Sequence, residues 1–247
     1  MAIPKLVAHR GYPLHYPENT AVGIKAAIAV GARFIEVDIQ FTSDGVPVLF
    51  HDRTLDRLCG VEGTLYRYTA AQIRHFSAGE FGRFGYKFTD TPIMTLAELV
   101  QLLGQHAEVT AFIELKRISI QHFGIATVVS RVLRDLKPVA PQCVIISYSL
   151  EALRAVRGQG WSAVGAVVDK WQDRKRKPVQ DLDPTYLFCD INSLPRRGRL
   201  RFQTSRLAVF ESVDTQRALQ VAEQGVEFVE TFAIGEMLSA LATLSES

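Results

Sequence analysis

Phe34-Ile35-Glu36-Val37-Asp38-Ile39-Gln40 reads as a β-strand with two unlike faces. Successive side chains alternate, so Ile35, Val37 and Ile39 fall on one side and Phe34, Glu36 and Asp38 on the other. Residues two apart on a strand are separated by about 7 Å, which lets both carboxylates reach one cation. A polar edge on an exposed strand is the plainer alternative. At the C-terminal end of a barrel strand, however, the inner face is where active sites form.

Working outward, further short apolar runs have the same look: Leu6–His9, Val109–Leu115, Cys143–Tyr148, Ala163–Val168, Tyr186–Ile191, Leu207–Phe210 and Val226–Glu230. Most are too continuously apolar to own a solvated face, as expected of parallel strands covered on both sides. Helical patterns separate many of them, at Thr20–Val30, Leu96–Leu103, Ile125–Leu136, Leu150–Val156, Thr215–Glu223 and Glu236–Leu244. In the first, Val22, Ala26, Ala27 and Val30 recur at helical spacing, Asn19 is positioned to cap, and Gly31 ends the run. The connections after Val168 and Ile191 are basic and carry no clear helix. Eight strands alternating with helices in 247 residues predict a closed (β/α)8 barrel, with a doubly wound open sheet as runner-up.

One connection is long. About seventy residues separate the second strand from the third, far beyond an ordinary loop. Ser43-Asp44-Gly45 is turn chemistry, so Val46–Phe50 reads as the return strand of a hairpin. The stretch from about residue 52 to 94 reads as a cap-like insertion in a single domain spanning residues 1–247.

Composition narrows the function classes. Hydrophobic residues make up 47% of the chain and charged residues 22%, which suits a large buried core rather than disorder. A formal charge of +2 supplies no global field for nucleic acid or membrane. Cys59, Cys143 and Cys189 are widely spaced and form no CxxC pair, which fits a reducing compartment. No stretch approaches the ~20 apolar residues of a membrane span. The N-terminus shows no signal-peptide pattern, so the expectation is a soluble cytoplasmic protein without stable membrane insertion.

The chemistry-bearing residues gather at strand ends. His9 and Arg10 close the first strand at Val7-Ala8-His9-Arg10-Gly11, and His51 follows Val48-Leu49-Phe50. A single histidine after a strand is more often structural, but two flanking a carboxylate pair read as proton-transfer groups. Glu114 and Lys116 repeat the same-face spacing in Phe112-Ile113-Glu114-Leu115-Lys116. Glu114 would complete a three-carboxylate site for Mg²⁺ or Ca²⁺, although Glu114 and Lys116 pairing only with each other remains open. His15, His75, His106 and His122 read as surface or structural, and Glu18-Asn19-Thr20 as helix capping. Arg196, Arg197, Arg199, Arg201 and Arg206 read as a solvated charged loop, with an anionic head group or nucleic acid as alternatives.

In order along the chain, His9-Arg10-Gly11, Pro17-Glu18-Asn19-Thr20, Ile35-Glu36-Val37-Asp38, Asp44-Gly45, His51-Asp52-Arg53-Thr54 and Ile113-Glu114-Leu115-Lys116 resemble the glycerophosphodiester phosphodiesterases, bacterial cytoplasmic type. The resemblance implies a (β/α)8 barrel with a small insertion after the second strand. It implies one divalent cation on Glu36, Asp38 and Glu114, His9 and His51 as acid and base, and Arg10 and Lys116 near the phosphate. The implied substrate is a small glycerophosphodiester, cleaved to sn-glycerol 3-phosphate and an alcohol such as choline or ethanolamine. The C-terminal third departs from the family. Phe210-Glu211-Ser212-Val213 stands where a Trp-Thr-Val-Asn-like run is usual, and the frame ending Glu230-Thr231-Phe232 lacks the final acid and the proline. A phospholipid-directed lyase on the same barrel, or a barrel that binds phosphodiesters without turnover, are the competing readings.

Overall fold

The computed structural model describes residues 2–245. Among them are nine strands: β1 (Lys5–His9), β2 (Phe34–Phe41), β3 (Pro47–Leu49), β4 (Thr110–Leu115), β5 (Cys143–Ser147), β6 (Val164–Val168), β7 (Tyr186–Asp190), β8 (Arg206–Phe210) and β9 (Phe228–Thr231). All but β3 run parallel, and β1 pairs with both β2 and β9. That double pairing closes the sheet into a barrel and excludes the open doubly wound arrangement. β3 turns back antiparallel on β2, with Leu49 opposite Ile39. The hairpin reading of Val46–Phe50 therefore holds. Gly45 at φ 76° and the Thr42 hydroxyl donating to Asp44 (2.6 Å) shape its turn.

Helices cover the outside at Ala21–Ala29, Leu96–Gly104, Arg117–Phe123, Ile125–Leu136, Leu150–Gly158, Lys177–Leu182, Thr215–Gln224 and Ile234–Ser245. After β7 there is only a short 3₁₀ turn, Ile191–Ser193, matching the lack of helical pattern there. The helix starts have clear causes. The hydroxyls of Thr95 and Ser149 and the carboxylate of Asp214 accept from backbone N–H groups of the first turns. The first helix departs from expectation: its cap is Thr20, whose Oγ accepts from the Gly23 N–H at 3.2 Å. Asn19 sits at φ 54° and is engaged elsewhere. Among the described residues, no helix is long and apolar enough to cross a membrane.

The apolar set Ile35, Val37 and Ile39 of β2 packs outward against the helices. The barrel interior is a separate cluster in which Phe112 meets Tyr186, Phe188 and Phe228 at centroid distances of 5.1, 5.1 and 5.9 Å. Each such buried ring contributes about 1.5–3 kcal/mol. Gly165 makes room for them, since a Cβ there would lie 2.8 Å from the Ile146 side chain and 3.2 Å from Phe188. The aromatics plug the barrel and separate the polar groups at the C-terminal end of the strands from Lys5 and Arg206, which lie over Phe228 at the N-terminal end.

The long connection carries its own small core, in which Phe50, Leu55, Leu58, Leu65, Ile73 and Ile93 are buried. Its aromatic residues mostly pack locally: Phe84 meets Phe88 at 5.2 Å, and Phe88 meets Tyr16 at 5.8 Å. Tyr86 alone of that group is largely exposed, at 86%.

Candidate active site

Strand register assembles the site. β1 pairs with β2 so that His9 lies beside Glu36, and β2 pairs with β4 so that Asp38 lies beside Glu114. All four belong to the inward face, because Glu36 and Asp38 share one side of β2 and Glu114 continues that side on β4. The three carboxylates each offer an oxygen, and these atoms all lie within 4.8 Å of one another. Lys116 leaves β4 on the same face. Its ammonium sits 3.1 Å from Asp38 and 3.3 Å from Glu114, so Lys116 bridges both acids.

The β1–α loop brings in Arg10. Arg10 and Gly11 turn at φ 58° and 93°, and a Cβ on Gly11 would lie 2.9 Å from the backbone of Gly23. That close approach needs glycine. The Arg10 guanidinium donates to Glu18 (3.1 Å) and lies 3.4 Å from Asp38. Asn19 brackets the same carboxylate: its Nδ2 donates to Asp38 at 2.9 Å and its Oδ1 accepts from the Asp38 N–H at 3.2 Å. The capping reading of Glu18 and Asn19 is thus corrected, since both side chains organise the site.

His51 enters after β3. Gln40, the next inward residue of β2, donates to the carbonyls of Phe50, His51 and Asp52 at 3.0, 3.0 and 2.6 Å and fixes that backbone. The His51 Nδ1 is 2.9 Å from Asp52, and Asp52 accepts from Arg57 at 2.6 and 2.9 Å. Arg57 also grips Glu18 at 2.9 and 2.8 Å. Glu80 of the insertion is buried, accepts the Glu18 N–H at 2.7 Å and pairs with Arg83 at 2.7 Å. Arg83 donates in turn to the Pro13 carbonyl. The insertion is therefore tied by charge to the loop that carries Arg10.

His9 is met from the far side of the barrel. Its Nδ1 lies 2.7 Å from Glu211, just beyond β8, and its Nε2 lies 3.7 Å from both Glu36 and Glu230. Phe232 stacks on the ring at 4.9 Å and 17°. These groups line one cavity of about 320 Å³, with His9, Arg10, Glu36, His51, Glu114 and Lys116 on one part of its wall. Tyr148, Phe188, Phe210, Phe232, Glu211 and Glu230 contribute to the remainder.

Electrostatics separates the acids. Burial, then Asp38, Glu230 and Glu114, push the Glu36 carboxyl well above its ordinary value. Glu230 is raised in the same way by burial and Glu114. Glu114 is raised by burial, against the pull of Lys116. Burial acts on Asp38 too, yet Lys116 and Arg10 outweigh it and hold that carboxyl far below the carboxylate range. For His9, burial lowers the imidazole, and the Glu211 hydrogen bond only partly offsets this. Both Glu36 oxygens are buried without a hydrogen-bond partner. Buried polar groups are nearly always satisfied, so orphaned oxygens beside two more carboxylates fit a hard divalent cation.

The structure brings all seven residues expected from the sequence together: six line the cavity, and Asp38 lies behind them, held by Lys116, Arg10 and Asn19. Asn19, Gln40, Arg57, Glu211 and Glu230 were not anticipated as site groups. Gln40 was within reach, because it extends the alternation of Glu36 and Asp38. Glu211 and Glu230 lie at the ends of the last two strands, beyond residue 163.

The fold is a (β/α)8 barrel, and carboxylates, histidines and an arginine gather in one cavity at the C-terminal ends of its strands. Residues 9–163 match the Glycerophosphoryl diester phosphodiesterase family, and the chain belongs to it. A glycerophosphodiester phosphodiesterase from Caldanaerobacter subterraneus is 31% identical over 187 residues, which cover 73% of this chain and 75% of that protein. Glycerophosphodiester phosphodiesterase 1 of Mus musculus is 38% identical over 136 residues, 55% of this chain and 39% of that protein. Among solved structures, an Oleispira antarctica phosphodiesterase in complex with the product sn-glycerol-3-phosphate superposes with a TM-score of 0.82. It is 24% identical, and the overlap covers 97% of both chains.

Proposed function

We propose that this chain hydrolyses glycerophosphodiesters to sn-glycerol 3-phosphate and an alcohol, using a divalent cation and two histidines. The carrying observation is the orphaned Glu36 carboxylate grouped with Asp38 and Glu114, in a cavity that His9 and His51 both line. Glu36, Asp38 and Glu114 would hold Mg²⁺ or Ca²⁺, which supplies Lewis-acid polarisation of a phosphoryl oxygen when bound. Arg10 and Lys116 offset charge on the phosphoryl group. Lys116 suits that role because Asp38 and Glu114 keep it charged against burial.

His9 takes at Nε2 the proton of the nucleophile, either water or the neighbouring glycerol hydroxyl whose cyclic phosphate water then opens, and burial keeps its imidazole in the neutral, accepting form. His51 returns a proton to the departing alkoxide from its own Nε2, since its Nδ1 is committed to Asp52. Chain 1–247 acts as a single barrel domain, and the insertion of about residues 52–94 braces the Arg10 loop through Arg57, Glu80 and Arg83. The three unpaired, buried cysteines agree with a reducing compartment, and we place the protein in the cytoplasm.

The test follows sn-glycerol 3-phosphate release from glycerophosphocholine and glycerophosphoethanolamine after chelation, then with Mg²⁺ or Ca²⁺ restored. Release only with a cation is expected. No release under any condition overturns the activity, and undiminished release in chelator overturns the cation site.

A further inference from the structure

His9 makes one hydrogen bond through its ring. Nδ1 lies 2.7 Å from Glu211 Oε2, whereas the two acids near Nε2 stand at 3.7 Å, beyond hydrogen-bond length. An ionised carboxylate only accepts, so the neutral ring must carry its hydrogen on Nδ1 to make that bond. Nε2 is then bare and faces the cavity. We infer that Glu211 is a positioning residue for His9, holding the Nδ1–H tautomer and the ring orientation that leave Nε2 free to accept a proton. This rests on the reading of His9 as the base.

Other contacts fit the role. Phe232 stacks on one face of the ring and sets its plane. The loop bearing Glu211 is pinned to β9, because Ser212 N–H donates to the Glu230 carbonyl at 3.0 Å. Glu211 is therefore held close to the ring by backbone as well as by its own bond. Its removal has a specific consequence. With no acceptor at Nδ1, nothing holds the ring hydrogen on that nitrogen, and it redistributes toward the nitrogen that should be bare. Glu211 lies beyond residues 9–163, the part of the chain that matches the family.

The test has two readouts. Nitrogen–proton correlation spectra of the cation-free wild type, at mildly alkaline pH and with His9→Ala to assign the signal, report the tautomer directly. The Nδ1–H pattern is expected, with Glu211→Leu moving it toward Nε2–H. In cation-loaded enzyme, Glu211→Leu should lower kcat about 10–100-fold with little change in KM, as for other groups that orient an active-site histidine. A wild-type Nε2–H pattern overturns the assignment even if the variant does not fold. If the wild type hydrolyses its substrate and Glu211→Leu keeps the same kcat, positioning is overturned while the function stands. If the wild type does not hydrolyse, the function falls and the positioning role falls with it, whatever tautomer is seen.

Discussion

Glu36→Met separates what the site costs the fold from what it does for chemistry. Glu36 is 1% exposed, and neither carboxylate oxygen has a hydrogen-bond partner. An unsatisfied buried polar group costs roughly 1–3 kcal/mol. Methionine has similar length and no polar requirement, so in chelator the variant should be more stable than the wild type by about that amount. At about 2–4 °C per kcal/mol for a chain of this size, the Tm rises on the order of 2–12 °C. Adding Mg²⁺ or Ca²⁺ should cancel or reverse the comparison. At about a hundredfold excess over Kd a bound cation adds roughly 2.7 kcal/mol to the wild type. The variant, lacking one carboxylate, gains far less and loses turnover by at least about 100-fold. Differential scanning fluorimetry in chelator and in cation, paired with product release, reads all four states. A Met variant less stable than wild type in chelator would show that Glu36 is well satisfied. An unchanged cation-induced shift would place the cation elsewhere.

His9→Ala and His51→Ala should each cut kcat by about 10²–10⁴-fold while circular dichroism stays native, and normal rates in both would remove the acid–base assignment. Cation-free protein should lose stability as pH rises above 4.5, since Glu36, Glu114 and Glu230 hold their protons longer when folded than unfolded. His9, lowered from 6.5, opposes that trend, but only below its ordinary value and as one group against three. Below the ordinary aspartate value of 3.8 the depressed Asp38 gives the opposite slope, and urea titrations across pH would reveal the turnover between them. Arg57→Ala should cost roughly 1–3 kcal/mol, because it leaves the buried Glu18 carboxylate with Arg10 alone, and lower kcat severalfold by freeing Asp52 beneath His51. A stability loss with no kinetic change would make Arg57 purely structural.

Much of the barrel and the heart of the site could be read from the chain, and the reason is periodicity. Glu36 and Asp38 share a face because strands alternate, and their apolar neighbours Ile35 and Val37 say which face is covered by helices. Glu114 and Lys116 repeat the pattern, so one rule places four groups. What escaped depends on approach through space rather than along the chain. Asn19 looks like a helix cap by spacing, and only the left-handed turn at that residue swings its amide onto Asp38. Arg57 and Glu80 lie in the insertion, where no period indicates which charges face the barrel. Glu211 reaches His9 across 202 positions of sequence, a pairing that only barrel closure creates.

The join between β1 and β9 runs through the catalytic mouth, with His9 on one bank and Glu230 on the other. A ribosome delivers every proposed cation ligand and both imidazoles before residue 117, yet the two acids that crowd His9 from the opposite bank arrive only at positions 211 and 230. A nascent chain thus carries the reagents long before it can use them. Hydrolysis should begin only once β1 has been sealed against β9, so turnover is itself a gauge of closed barrels.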